Sequence, residues 1–419
     1  MYILKINYFI RCVANNNIRT ILCSSVRLKS SYFKSDSVIK RHLPINSNEV
    51  YKIDKIIKNP HKYFHTTPKR DGLFTVIITP LIRLSAFLFG RIFKKWYTSR
   101  TDEEKKIFWQ KFHKRKFIYL GILGLYLFSI FIYYISHLKY NSIIDRSQFI
   151  MLSDTQKEEL AQMVYENHLD QYGSALISKD DPVYTKVLRV VARIINANKD
   201  LPHFQNKTWT LAIVDSPTKN AYVLPGGNMF VFSGLLQITE NDDQLAIVLA
   251  HEMAHTILNH PYEQVSRGII IDLIMAIPLA VVWALFPDSV ALYFTFTGQS
   301  IVNIFCNLPY SRSLENEADI VGILLAAKAC IDVREAVVFW GLMRTLIELD
   351  IEPKQIPWLS THPDHGDRER RINTFMDEAL KIRNLAQCPR ISSQDPREAF
   401  YGRSRSEMES QLKEKGIIF

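Results

Sequence analysis

The longest hydrophobic run in the chain, residues 117–138 (FIYLGILGLYLFSIFIYYISHL), contains no Asp, Glu, Lys or Arg. At 1.5 Å per residue it extends roughly 33 Å, enough for a hydrocarbon core of about 30 Å, and it is predicted to be a transmembrane helix. Residues 74–93 are also apolar but are broken by Pro80, Arg83 and Arg91. With Lys and Arg on its flanks, that stretch fits a helix lying on the membrane surface better than a second span. Two later apolar stretches, 268–286 and 289–306, are interrupted by Asp272, Pro278, Pro287 and Asp288 and predict a hydrophobic hairpin. Between these regions Val187, Val190, Val191 and Ile194 recur at helical spacing. Residues 208–215 and 229–232 read as short strands, the second after a Pro225-Gly226-Gly227 turn. No internal repeat or low-complexity linker follows Ser153. The pattern predicts a mainly α fold with a small β-sheet, of the α+β class, behind one N-terminal transmembrane helix.

One helical segment carries polar residues where the pattern calls for apolar ones. In residues 239–260 (TENDDQLAIVLAHEMAHTILNH), Thr239 and Asp242 resemble a capping box, residues 245–250 are apolar on every face, and Pro261 is expected to stop the helix. His251 and His255 are four residues apart, so both imidazoles lie on one face and can reach one metal ion. Glu252 lies about 100° around the helix from His251, where a carboxylate meets the attacking water rather than the metal. Burying two histidines and a glutamate costs several kcal/mol unless a metal or polar partners compensate. A zinc site needs a third protein ligand. It is expected in residues 311–319 (SRSLENEAD), where Glu315 and Asp319 share one helix face. Glu315 would bind the metal, and Asp319, one turn on, would accept the remaining ring N–H of a histidine ligand. Glu317 is predicted to face solvent. Because His251, His255 and Glu315 must meet, the hairpin between them crosses a bilayer an even number of times, zero or two. Zero is favoured, since Asp272 and Pro278 weaken the first stretch as a span.

Charge changes the picture at the N-terminus. The 419 residues carry a formal net charge of +10, yet residues 1–116 hold 25 Lys/Arg against 7 Asp/Glu and residues 117–419 hold 27 against 35. The asymmetry argues against a nucleic-acid-binding catalytic domain and for a topological signal. The first 35 residues contain Lys5, Arg11, Arg19, Arg27, Lys29 and Lys34 and no acidic residue. That composition is expected of a mitochondrial transit peptide, with a disordered basic tail as the alternative. Lys111, Lys114, Arg115 and Lys116 flank the apolar run on its N-terminal side, so that side is expected to stay in the matrix and the chain beyond it to face the intermembrane space. The resulting organisation is a transit peptide over 1–45, a basic matrix-facing segment over 46–116, a transmembrane helix over 117–138 and a catalytic domain over 139–419. Of five cysteines, Cys12 and Cys23 would leave with the transit peptide and Cys306 sits in an apolar run. Cys330 and Cys388 remain, in a compartment that permits a disulfide between them.

Four spaced motifs, HEMAH at 251–255, ENEAD at 315–319, NAYVLPGG at 220–227 and STHPDHGDR at 360–368, resemble those of the membrane-associated gluzincin metallopeptidases. That family includes the type I CAAX prenyl proteases and the bacterial heat-shock membrane proteases. The resemblance covers about residues 150–385. With the basic N-terminus and single span, it points to the Oma-type mitochondrial inner-membrane endopeptidases. It implies a zincin-like metallopeptidase domain with one Zn2+ per chain, held by His251, His255 and Glu315, and Glu252 as general base. Asn220, Ala221, Tyr222, Val223 and Leu224 would form a sheet edge on which an extended substrate adds as a strand. His362 would donate to the oxyanion, with Arg368 orienting it or a nearby acid. The implied partners are inner-membrane protein substrates, among them the dynamin-like fusion GTPase, and the lipid bilayer, without nucleic acid; self-association into a homo-oligomer is left open. The implied role is inner-membrane quality control and stress response. Two alternatives stand beside it: a prenyl-protein protease of another membrane, and an inactive scaffold of the same fold.

Overall fold

The computed structural model describes residues 71–205, 207–348 and 368–414. The segment expected to be the transit peptide and the basic region up to residue 70 lie outside the described residues, as does His362.

The described residues open with three helices, α1 (Asp71–Thr98), α2 (Asp102–Lys114) and α3 (Lys116–Ser136). Thr101 and Glu104 exchange capping hydrogen bonds at the start of α2, which turns the chain between the two long helices. Helix α3 has no buried residue. It touches the later helix His260–Leu285, where the Tyr126 hydroxyl donates to the Leu273 carbonyl at 2.8 Å, and its remaining apolar surface is exposed over a length sufficient to cross a membrane. It runs directly into an antiparallel hairpin of β1 (Leu138–Asn141) and β2 (Arg146–Phe149).

The catalytic domain is built on helices around a three-stranded sheet. Helices α4 (Asp154–Tyr172) and α5 (Pro182–Asn198) lead to β3 (Thr210–Val214), β4 (Ala221–Val223) and β5 (Asn228–Phe232). The strand order is β3-β5-β4, with β5 parallel to β3 and antiparallel to β4, so β5 is central and β3 and β4 are edge strands. The turn before β5 needs glycine at position 227: its φ is +98°, and a Cβ there would meet the Thr208 carbonyl oxygen at 2.9 Å. The valines at helical spacing in α5 are all buried, packed with Ile213, Met229, Leu249 and Leu325 in one core.

Helix α6 (Asp242–Ile257) threads this core, and every residue from Gln244 to Ile257 is buried. It is capped by Asn241, whose side chain accepts from the Gln244 N–H, rather than by Thr239. It ends at Ile257 without help from proline: Asn259 adopts a left-handed conformation (φ 58°), and Pro261 sits in the first turn of α7 (His260–Leu285). Proline is tolerated there because the N–H it lacks would be unpaired anyway. Helices α7 and α8 (Asp288–Val302) form the apolar hairpin, and a π-helical turn at Asn303–Asn307 returns the chain to α9 (Leu308–Lys328). Helices α10 (Glu335–Glu348), α11 (Arg368–Thr374) and α12 (Met376–Leu385) close the domain, followed by two short helices.

Helix α1 lies along α7 and reaches α4. It continues through Pro80 to Thr98, where the sequence suggested a shorter element alone on a membrane surface. The Arg83 guanidinium is 2.9 Å from the Asp272 carboxylate, and the Phe87 ring meets Trp283 edge-on at 4.5 Å between centroids. The Asp272 charge, which weakens residues 268–286 as an isolated apolar helix, is thereby paired. Among the described residues three helical stretches are long and apolar enough to cross a bilayer: Lys116–Ser136, His260–Leu285 and Asp288–Lys328.

Candidate metal centre

Two helices bring the ligands together. Helix α6 presents His251 and His255 one turn apart, and α9 lies directly across from it with Glu315. The helices can approach this closely because residue 322 is glycine: a Cβ there would stand 2.9 Å from the His251 Cα and 3.0 Å from its N. His251, Glu252, His255, Glu315 and Asp319 are all buried.

One ligand atom from each of His251, His255 and Glu315 falls within 4.8 Å of the other two. The two histidine Nε2 atoms are 3.2 Å apart. Glu315 Oε2 lies 3.4 Å from His251 Nε2, and its Oε1 lies 3.4 Å from His255 Nε2. Ligands about 2.0 Å from a tetrahedral ion are roughly 3.3 Å from one another, so the donor set and its spacing fit a divalent ion of zinc's size. Two imidazoles and a carboxylate converge here beside a buried Asp319–Arg368 pair, and burying such groups costs several kcal/mol unless a metal or polar partners compensate.

Behind His251 stands a fixed acid. Asp319 Oδ1 is 3.1 Å from His251 Nδ1, which leaves Nε2 turned toward Glu315. Arg368, fully buried, donates to both Asp319 oxygens, at 2.7 Å from Nε and 2.6 Å from Nη2. Its Nη1 is 3.3 Å from Glu315 Oε2, and its guanidinium stacks 3.4 Å above the Trp340 ring. Burial opposes ionisation of Asp319, but Arg368 and His251 outweigh it and hold the carboxyl below its ordinary range. Arg368 thus meets the acid, one of the two roles the sequence left open for it.

The edge strand β4 lies against the histidine helix. The main-chain groups of Asn220, Tyr222 and Leu224 pair with β5, so those of Ala221 and Val223 point the other way. Thr256, next to His255, donates to the Val223 carbonyl at 3.0 Å. The Pro225 carbonyl is held by the Lys207 ammonium at 2.8 Å. Burial and the neighbouring Lys157 bring that amine down to about 8. Tyr222 stacks on Phe230 on the face away from the core helices. Cys330 and Cys388, at the far end of α9 and beyond α12, are joined by a disulfide with Cα atoms 5.2 Å apart.

Glu317 corrects the sequence reading. It is 6% exposed, held by Arg146 of β2 and facing His260. Its position two residues from Glu315 does put it on another side of α9, but that side meets the β1–β2 hairpin and the start of α7 instead of water. Sequence reasoning also passed over Arg146, His260, Glu263 and Gly322. His260 lies within the segment already singled out, five residues after His255, and was the one with a signal to find.

Residues 184–375 match the family pattern described as peptidase family M48. The human protein named "Metalloendopeptidase OMA1, mitochondrial" is 36% identical over 357 residues, 84% of this chain and 68% of its own. The zebrafish (Danio rerio) protein of that name is 32% identical over 402 residues, 94% of this chain and 80% of its own. The "Mitochondrial metalloendopeptidase OMA1" of Schizosaccharomyces pombe is 33% identical over 260 residues, 61% of this chain and 72% of its own. With identity spread over most of both chains, and the matched region containing α6 and α9 with all three converging side chains, the chain belongs to the OMA1 group of mitochondrial metalloendopeptidases within peptidase family M48.

Proposed function

We propose that this metalloprotease is a zinc-dependent endopeptidase of the mitochondrial inner membrane that cleaves membrane proteins in quality control and stress response. The observation that carries the reading is the convergence of His251, His255 and Glu315 at tetrahedral spacing beside Glu252. A bound zinc ion would supply Lewis acidity toward the scissile carbonyl and the attacking water. Glu252 takes the proton from that water and delivers it to the leaving amine. Asp319, fixed by Arg368, keeps the His251 proton on Nδ1 and Nε2 free to bind. The Ala221 main-chain groups and the Val223 N–H take the substrate main chain as an added strand, which tolerates varied side chains, while the Val223 carbonyl is held by Thr256. His362 donates to the oxyanion.

Helix α3 is proposed as the span, with its basic N-terminal flank in the matrix and the domain after it in the intermembrane space; α1, which packs along α7 and reaches α4 of that domain, is then not confined to the matrix. The α7–α8 hairpin enters the bilayer from the catalytic side beside α3, whose Tyr126 hydroxyl donates to the Leu273 carbonyl at 2.8 Å, and this brings membrane-bound substrates near the site. The dynamin-like fusion GTPase of the inner membrane is the proposed substrate, on the family resemblance. Removing the metal with a chelator should abolish cleavage of a membrane-reconstituted substrate, and stoichiometric zinc should restore it. Full activity after verified removal of all metal would end this reading.

A further inference from the structure

His251 has a carboxylate behind it, while His255 has a histidine. The His255 and His260 Nδ1 atoms are 2.9 Å apart, and His260 Nε2 is 3.3 Å from Glu317 Oε2. Arg146 grips Glu317 with two bonds, Nε to Oε1 at 2.7 Å and Nη2 to Oε2 at 2.8 Å. The same guanidinium grips Glu263, Nη1 to Oε1 at 2.6 Å and Nη2 to Oε2 at 2.9 Å. Gln148 donates to Glu263 at 2.6 Å and to the Leu258 carbonyl at 2.8 Å, tying β2 to the turn between α6 and α7. His260, Glu263 and Glu317 are 1%, 3% and 6% exposed.

The direction of these bonds is forced. His255 faces His251 and Glu315 through Nε2, so for that atom to bind a metal its proton must sit on Nδ1. His260 Nδ1 must then accept, which leaves the His260 proton on Nε2, pointing at Glu317. Glu317 accepts, and two bonds from the Arg146 guanidinium hold its carboxylate in place. Every donor meets an acceptor in one sense only. The left-handed Asn259 between α6 and α7 is what folds His260 back beneath His255.

We propose that His260, Glu317 and Arg146 are positioning residues, a relay that fixes the tautomer and orientation of His255 as a metal ligand. The proposal rests on reading His251, His255 and Glu315 as the metal site. It makes the two histidine ligands unequal. His251 is set by an acid on α9 and an arginine on α11, whereas His255 is set through a second imidazole by an arginine on the hairpin that follows the membrane helix. Partners of this kind typically change metal affinity by 10–100-fold when removed.

Two substitutions at one position separate a relay from a packing role. Phenylalanine keeps the ring volume of His260 and loses both hydrogen-bonding atoms; glutamine fits the volume less well but retains one acceptor and one donor. The full-length protein, His260→Phe, His260→Gln, Arg146→Met and His251→Ala are purified in detergent. Zinc affinity is measured by competition with a chromophoric chelator, melting is measured on the zinc-free proteins, and kcat and KM are measured at saturating zinc. The relay predicts a zinc affinity lowered about 10–100-fold in His260→Phe and Arg146→Met. It also predicts lower kcat with KM little changed, zinc-free melting of His260→Phe near that of the unsubstituted protein, and substantial recovery in His260→Gln; Arg146→Met, which leaves the buried Glu263 and Glu317 carboxylates unpaired, melts lower. Unchanged zinc affinity in His260→Phe would overturn the proposal, as would His260→Phe outperforming His260→Gln, the order that packing predicts. If His251→Ala also binds zinc normally, the metal-site reading itself is wrong and the relay falls with it.

Discussion

Asp319 and Arg368 decide how His251 presents Nε2 to a metal. Replacing Asp319 with alanine leaves the buried Arg368 guanidinium without its main acceptor and frees His251 to turn or change tautomer. Zinc affinity of Asp319→Ala should fall roughly 10–100-fold, measured by chelator competition, and the protein should lose a few kcal/mol of stability because a buried charge is left unpaired. At this scale much of the site was legible before the structure. Two histidines, two acids and their spacings carry their own geometry, since residues four apart on a helix share a face whatever surrounds it. Glu317 was not legible. Which side of α9 meets water depends on where β2 and α7 lie, and no local pattern around residue 317 encodes that. Arg146 was not legible either, since its side chain reaches Glu263 and Glu317, 117 and 171 residues away.

Among the elements, the contact of α6 with α9 sets the site, and Gly322 sets the contact. A methyl group there must displace the His251 backbone. Gly322→Ala should therefore destabilise the protein by about 1–3 kcal/mol, the usual cost of overfilling a core, and should weaken zinc binding by separating His251 from Glu315. Thermal melting with and without zinc checks both effects. The Cys330–Cys388 disulfide closes a loop that includes α10 and α11 and ties the end of α9 beyond α12. Replacing both cysteines with serine should lower stability by about 2–4 kcal/mol and remove a mobility difference between reduced and non-reduced gels. Helices and strands were legible from periodicity, but their ends were not. Thr239 lost the cap to Asn241, and Pro261 opened α7 where it was expected only to close α6, because proline suits the first turn of a helix as well as the residue after one.

Across the whole molecule, apolar surface divides into two regimes: a catalytic domain closed around one core, and helices α1, α3, α7 and α8 that leave large apolar side chains outward. The sequence separated these regimes by composition. It did not reveal that α1 runs along α7, because the pairing of Arg83 with Asp272 joins residues 189 apart. If α3 is the anchor, the protein should remain in the membrane pellet after alkaline extraction. In mitochondria whose outer membrane has been opened, protease should reach an epitope placed after Glu414. Protection of that epitope until the inner membrane is dissolved would reverse the proposed orientation.

The most direct test of the account compares the unsubstituted protein with Glu252→Gln, both reconstituted in membranes with a protein substrate and both assayed for zinc. The account predicts equal zinc in the two and a loss of cleavage of about 10²–10⁴-fold or more in Glu252→Gln, the scale of general-base catalysis. Equal cleavage by both, or no zinc in the unsubstituted protein, would contradict it.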